Sequence, residues 1–253
     1  MQSDISPQFK QLLLQHQLAN FDQLWQYKGD WFEPPNRERG GWSGVNFIEL
    51  TDHAGMKHGF YLKRQLNHTR RTWLHPFAGE PTFVREFEIL KHLSQHDVAT
   101  PKLVFFESQQ DKAILMTQAL VGFTSVSDWL HNHPLISVAT QRLLARALAA
   151  TVKNMHQACV VHRSLYLKHL FIKEQNGDFK VALIDFEKSR ISFLIAWLRF
   201  SDLITLHYRT PNWSAGNKLA FFRHYLGVLH LNSWQKRVCV YIHRQSIKKS
   251  SNK

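Results

Sequence analysis

The loop VVHRSLYLKHLFI (160–172) packs several reactive side chains into a short span. It nearly spells H-R-D-x-x-x-x-N, the loop pattern of phosphoryl-transfer enzymes, but Ser164 stands where the carboxylate belongs and His169 where the asparagine belongs. Further on, the apolar run VALI ends abruptly in Asp185, the form of a strand that delivers a carboxylate to a site. A hard cation such as Mg2+ wants oxygen ligands of that kind. Earlier in the chain, FYLKRQ puts Lys63 on a predicted strand, where alternation sets it opposite Leu62 and Arg64. Glu86 follows on a predicted helix. A lysine on a strand paired with a glutamate on the next helix is an arrangement that holds a nucleotide's phosphates. Glu86 and Glu88 lie on different helix faces, and Glu86 falls near the stripe Phe83, Leu90 and Leu93, so Glu86 is the preferred partner. Finally, RGGWSGV (39–45) carries three glycines that let the backbone approach a phosphate closely. No Gly-Lys-Ser/Thr follows, so this is not a Walker loop. Each piece has a plain alternative: a turn, a surface charge, a helix cap.

The elements that must position these groups are legible in outline. Residues 8–27 space Phe9, Leu12, Leu13, Leu18, Phe21 and Leu24 as one or two short helices. EPPNRERGGWSG breaks regularity with proline and glycine. VNFIEL and HGFYLKRQ flank the turn-like TDHAGMK as a predicted hairpin. The stretch 81–96 predicts a helix, and KLVFFES and AILMTQAL two more strands. After Gly122 the character becomes helical. TSVSDWLHN opens with capping residues, and 137–158 is an uninterrupted run rich in Ala and Leu with no Gly or Pro. Helices are also expected at 192–208 and 217–230. The expected boundary lies near residue 121, with a β-rich segment 1–121 and a helical segment 122–253.

Bulk properties narrow the function class. With 253 residues and 44% apolar content the chain can bury a sizeable core. Its densest apolar stretch, ISFLIAWLRF (191–200), is too short to span a bilayer. The start MQSDISPQFK lacks the basic and apolar regions of a signal peptide. Cys159 and Cys239 give neither a disulfide framework nor a zinc pattern, which points to a reducing cytoplasm. The sixteen histidines include no ligand-spaced motif, and the tryptophans, Trp42 and Trp129 among them, read as packing residues rather than sugar platforms. A net charge of +13 favours anionic partners. The C-terminal WQKRVCVYIHRQSIKKSSNK is basic without a single acid; it reads as a solvated tail, or as a surface that holds the protein to an anionic inner leaflet. No basic-aromatic motif accompanies the charge, so no specific nucleic-acid partner is expected.

Taken in order, glycine loop, strand lysine, helix glutamate, catalytic-type loop and strand aspartate, the sequence resembles the protein-kinase-like fold. More narrowly it is similar to the lipopolysaccharide core kinases of the Kdo/WaaP family, and within them the InaA-type members. RGGWSGV, FYLKRQ, HPFAGEPTFVREFEIL, VVHRSLYLKHLFI and LIDFEKSR carry the likeness, over roughly residues 30–210. The resemblance implies an α+β, two-lobed fold, with a small antiparallel-β N-lobe bearing one helix and a mainly helical C-lobe. It implies ATP as phosphate donor and Mg2+, or alternatively Mn2+, as metal. Lys63 would orient the α/β-phosphates, Glu86 would hold Lys63, and the backbone around Gly41 and Gly44 would cover the phosphates. Thr117 to Ala119 would form the hinge that meets adenine. Asp185 would bind the metal, with His169 in the second ligand position, where this family is similar in using histidine. Asp202 would brace the catalytic loop. The acceptor would be a sugar of an acidic glycolipid or glycan at the cytoplasmic face of the inner membrane, with the protein cytoplasmic or peripheral there.

Ser164 departs from that pattern. A serine hydroxyl is neutral near pH 7 and cannot accept the acceptor's proton as a carboxylate does; losing a general base costs roughly 10²–10⁴-fold in rate. His162, His169 or Glu187 are the candidates to replace it. The expectation is a glycan kinase. The competing reading is a pseudokinase that binds nucleotide without turnover, and a third is a small-molecule kinase akin to the antibiotic phosphotransferases.

Overall fold

A computed structural model describes residues 2–37, 40–70, 80–192, 195–210 and 213–251. Arg39 of the glycine stretch and the HPFAG part of HPFAGEPTFVREFEIL lie outside the described residues. The chain divides into two compact units: Met1–Lys91 with Pro101–Val121, and His92–Thr100 with Gly122–Lys253.

The first unit is built on an antiparallel sheet of six strands. In chain order its elements are β1 (Gln2–Ile5), α1 (Pro7–Gln15), α2 (Phe21–Trp25), β2 (Trp31–Asn36), β3 (Trp42–Thr51), β4 (Lys57–Leu66), the two-residue strands β5 (Thr69–Arg70) and β6 (Glu80–Pro81), α3 (Thr82–Leu93), β7 (Leu103–Gln109) and β8 (Lys112–Gln118). The sheet order is β1-β7-β8-β4-β3-β2. The predicted hairpin is β3–β4, and its turn is closed by Asp52, whose Oδ1 accepts the N–H groups of Ala54 and Met56. Proline opens α1 at a position where its missing N–H costs nothing. Helices α1 and α2 seal one face of the sheet: Phe9, Leu12, Leu13, Phe21 and Leu24 join Ile48, Phe60, Leu62, Ile114 and Met116 in one buried cluster. Each such side chain contributes about 1.5–3 kcal/mol when fully buried. The alternate residues of β8 are buried as well, and Phe87 of α3 stacks on Phe106 of β7 with ring centroids 4.0 Å apart. The central strands are therefore covered on both sides, which is why AILM reads as a continuous apolar run.

The second unit contains β9 (Thr124–Ser125), α4 (Val126–Asn132), α5 (Val138–Gln157), β10 (Val160–Val161), a 3₁₀ turn (Leu167–His169), β11 (Leu170–Gln175), β12 (Asp178–Leu183), β13 (Arg190–Ile191), α6 (Ile195–Tyr208), α7 (Ala215–Leu226) and α8 (Ser233–Ser251). Ser125, Ser137 and Ser214 cap α4, α5 and α7 by accepting the N–H three residues on. Helix α5 buries Leu144, Leu148, Val152 and Met155 on one stripe, and α7 ends where Gly227 takes a left-handed conformation, φ 70°. The basic C-terminal segment is not a loose tail. It is a helix of 19 residues packed against α6, with Ile242 and Ser246 buried and Lys249 Nζ donating to Thr205 Oγ1. Its buried face holds few apolar residues, which is why the sequence pattern does not announce it. Among the described residues no helix is long and apolar enough to cross a membrane.

Candidate active site

In the first unit, Lys63 lies on β4 between Val45 of β3 and Leu115 of β8. Its Nζ donates to both oxygens of Glu86, at 2.7 and 2.9 Å. The Glu86 side chain is 4% exposed and that of Lys63 17%, so the acid is sealed in and the pair lies largely inside the unit. Glu88 sits on the exposed side of α3. Two residues along the same strand face, Gln65 fixes the start of that helix. Its Oε1 accepts the Phe83 N–H at 3.1 Å and the Thr82 hydroxyl at 3.0 Å, and its Nε2 donates to the His68 carbonyl. One strand thus supplies the amine and also anchors the helix that carries the acid. The sequence signal for this was available: an i, i+2 spacing puts Lys63 and Gln65 on one face.

The opposite face of β4 holds a group that sequence reasoning read as an ordinary charge. Arg64 is buried, donating through Nη1 to the carbonyls of Trp25 and Tyr27 and through Nη2 to Asn46 Oδ1. Asn46 Nδ2 in turn donates to the carbonyls of Gly29 and Asp30, and the guanidinium lies 4.9 Å from the Trp31 ring centroid. This network ties the chain entering β2 to the strand of Lys63. All its acceptors but Asn46 Oδ1 are backbone carbonyls, so no sequence pattern reveals it.

Two of the three glycines of the 39–45 stretch, Gly41 and Gly44, have a packing reason. A Cβ on Gly41 would overlap the Leu66 carbonyl, and one on Gly44 would overlap the Trp31 ring. Thr117 is buried within β8, and just beyond the strand the Ala119 N–H donates to the Gly59 carbonyl at 2.8 Å. That N–H is therefore already used within the unit.

In the second unit, the loop after β10 is organised around the fully buried Asp202 of α6. Its Oδ2 accepts the His162 N–H and its Oδ1 the Arg163 N–H, both at 2.7 Å. Arg163 takes φ 63°, a left-handed conformation uncommon for any residue but glycine, and this clamp is what holds it there. His156 Nε2 lies 3.2 Å from the same carboxylate and its Nδ1 2.7 Å from the Tyr225 hydroxyl. Burial holds His156 neutral, below its ordinary value, against the pull of Asp202, and pushes Tyr225 up to about 12. Nε2–H therefore donates to Asp202 and the tyrosine donates to Nδ1.

His162 is fully buried. Its Nε2 donates to the Ile184 carbonyl at 3.0 Å, and its ring lies against Phe186 and stacks toward His169. It is placed to hold the segment leading into Asp185, not to meet an acceptor in solvent. Ser164 is 3% exposed, and its carbonyl accepts both the Tyr166 N–H and His169 Nδ1, each at 2.8 Å. Asp185 lies two residues beyond the end of β12, at φ 65°, and its side chain is 40% exposed. Glu187 is half-buried just after it.

His169 and Asp185 form the pair with the clearest chemical consequence. Because Nδ1 faces a carbonyl, it must carry the proton. Nε2, 3.1 Å from Asp185 Oδ2, is then the lone-pair nitrogen. Burial holds the imidazole below its ordinary value despite the nearby carboxylate. A lone pair facing a carboxylate oxygen is a two-donor set suited to a divalent cation. Among the described residues no third His, Cys, Asp or Glu joins this pair in a cluster.

Residues 22–225 match the lipopolysaccharide kinase (Kdo/WaaP) family. The chain belongs to this family. Within the family, it is 35% identical over 176 residues to Protein InaA of Escherichia coli (strain K12), covering 67% of this chain and 78% of that protein. It is 29% identical over 143 residues to the lipopolysaccharide core heptose(I) kinase WaaP of the same strain, covering 51% of this chain and 53% of WaaP. The solved structure of WaaP in complex with acyl carrier protein superposes with a TM-score of 0.72 at 18% identity, over 98% of this chain and 99% of that one, so this chain has the same α+β, protein-kinase-like fold.

Proposed function

We propose that this protein is an ATP-dependent kinase that phosphorylates a sugar hydroxyl of lipopolysaccharide core or of a related glycan. The observation that carries the reading is the Lys63–Glu86 pair, a sealed carboxylate that accepts two hydrogen bonds from an ammonium borne on the neighbouring strand. Such an ammonium binds the α/β-phosphates of a nucleotide. In this reading residues 1–121 form the nucleotide-binding lobe and 122–253 the catalytic lobe. The backbone around Gly41 and Gly44 covers the phosphates, and adenine meets the Thr117–Ala119 segment through the Ala119 carbonyl. Asp185 and His169 hold Mg2+ or Mn2+, which when bound neutralises charge on phosphate oxygens.

Asp202 and His162 act as positioning residues: one clamps the loop before Ser164, the other the segment before Asp185. With Ser164 in place of a carboxylate, the acceptor's proton passes to water or to an oxygen of the transferred phosphoryl group rather than to a strong base. Phosphoryl transfer depends mainly on positioning and charge stabilisation, so the reaction proceeds, slowly. A glycolipid acceptor places the protein at the surface of the membrane that holds it.

The test is transfer of label from γ-labelled ATP to deacylated core oligosaccharide in the presence of Mg2+ or Mn2+. Transfer that disappears in Lys63→Ala and in Asp185→Ala supports the kinase. A second reading, a nucleotide-binding regulatory protein without turnover, is favoured by Ser164. Firm nucleotide binding with no transfer to any acceptor selects it.

A further inference from the structure

Helix α8 buries one side and leaves the other to solvent. Ile242 and Ser246 face inward, while Trp234 is 66% exposed, Val240 49% and Tyr241 47%. At 100° per residue, Trp234, Arg237, Tyr241, Arg244 and Lys248 fall within one outward arc, and all five are exposed. The stripe runs from residue 234 to 248, about 21 Å at 1.5 Å per residue. No Asp or Glu occurs in α8. On the neighbouring helix, Phe200 of α6 makes an edge contact with Tyr241, and Leu198 is also exposed.

We propose that this outward stripe of α8 docks the protein on an anionic phospholipid surface. Aromatic side chains with an apolar body and a polar tip sit at the level of lipid headgroups. Arginine and lysine beside them meet lipid phosphates, and a helix lying in the interface presents this mixture. The stripe is long and borne on a single convex helix, which suits a flat, negatively charged surface. Its opposite face is already occupied by α6, so docking requires no rearrangement of the fold.

The experiment is flotation of the full-length protein with vesicles of phosphatidylcholine alone and with about 30% phosphatidylglycerol, at physiological salt, where exposed charges are screened beyond ~8 Å. Four proteins are compared: the unaltered chain, the stripe variant Arg237→Glu/Arg244→Glu/Lys248→Glu, a control with the same charge change elsewhere, Lys10→Glu/Lys102→Glu/Lys180→Glu, and Trp234→Ala. The unaltered chain and the control should float with the anionic vesicles only. The stripe variant should bind them at least about 10-fold more weakly, each basic group contributing comparably at such a surface. Trp234→Ala, which changes no charge, should weaken binding by a smaller factor. Circular dichroism and a thermal midpoint establish that each variant is folded.

Equal loss in the control and stripe variants would show that net charge, not α8, is responsible, and overturns the proposal. Equal binding to neutral vesicles does the same. So does capture of soluble poly-glutamate by the stripe without vesicle binding, which would assign it to an acidic protein.

Discussion

Gln65 accepts the backbone N–H of Phe83 at 3.1 Å, joining the strand of Lys63 to the first turn of the helix of Glu86. The bond is buried, and it satisfies a donor that no intrahelical carbonyl can reach. Replacing Gln65 by Ala leaves that N–H without its acceptor and the Thr82 hydroxyl with only His68 Nδ1, 3.4 Å away, at a cost of about 1–3 kcal/mol. Because α3 carries Glu86, the loss also loosens the aim of Lys63. Gln65→Ala is expected to lower the unfolding free energy by that amount and to reduce kcat/KM for ATP by up to ~100-fold, mostly through KM. Chemical denaturation and ATP-dependent kinetics measure the two effects separately. A variant that loses stability but binds ATP normally would show that the cap does not steer the lysine.

The nitrogen in the His169–Asp185 pair has a consequence for metal choice. Imidazole suits transition metals better than it suits Mg2+, and carboxylate accepts Mg2+ and Mn2+ alike. The unaltered protein should therefore be supported at least as well by Mn2+ as by Mg2+. His169→Asn replaces the nitrogen by an amide oxygen and should swing the Mg2+/Mn2+ ratio toward Mg2+ by on the order of 10-fold. Metal titrations monitored through nucleotide affinity read this even where turnover is slow. An unchanged ratio would remove His169 from the ligand set.

Ser164 lies at the position of the absent carboxylate, on a loop whose backbone is already clamped by Asp202 at residues 162 and 163. The Ser164 carbonyl, not its side chain, orients His169, so a change of side chain leaves that bond in place. Ser164→Asp is expected to raise the rate of transfer to a core oligosaccharide by about 10²-fold or more, the range of a restored general base. Nucleotide affinity should stay within a few-fold of the unaltered chain. A rate that does not move, in a folded variant that binds ATP, would show that the missing base is not what limits turnover.

The sequence carried a good part of this structure because its signals were local. Alternation in HGFYLKRQ sets Lys63 and Leu62 on opposite faces, and the stripe through Phe83 and Leu90 selects Glu86 over Glu88. The Ala/Leu run at 137–158 has one stable arrangement. What stayed hidden depends on partners distant in the chain or on backbone groups. Arg64 looks like a surface charge in FYLKRQ, yet two of its three acceptors are carbonyls of the segment entering β2. His162 looks like a replacement base, and only its burial against Ile184 and Phe186 shows it to be a brace. Gly41 and Gly44 look like a phosphate loop, and their need for glycine comes first from Leu66 and Trp31. Helix α8 reads as a tail because the residues facing α6 include Ser246 and Lys249, which break the apolar period. Gln65 is the opposite case, since its spacing from Lys63 was legible and its role was passed over.

A pH dependence of stability follows from the junction of α6 with α8. His207 of α6 is 8% exposed, and its Nε2 lies 3.0 Å from Nδ1 of His243 on α8. Burial pushes His207 down to about 4, with Lys218 and His243 adding positive charge nearby. An unfolded histidine titrates near 6.5, so between pH 6.5 and 4 the unfolded chain binds a proton that the folded chain refuses. Stability is then highest above pH 6.5 and falls as the pH drops toward 4, by at most about 3 kcal/mol from this one group. The variant His207→Gln keeps a hydrogen-bonding side chain at the junction and removes the titration. It should be less stable than the unaltered chain at pH 7.5, and the gap should close as the pH approaches 4.5. Urea unfolding at a series of pH values provides the two slopes. Parallel slopes would mean that acid destabilisation arises elsewhere, with His156, held neutral beside Asp202, as the next group to replace.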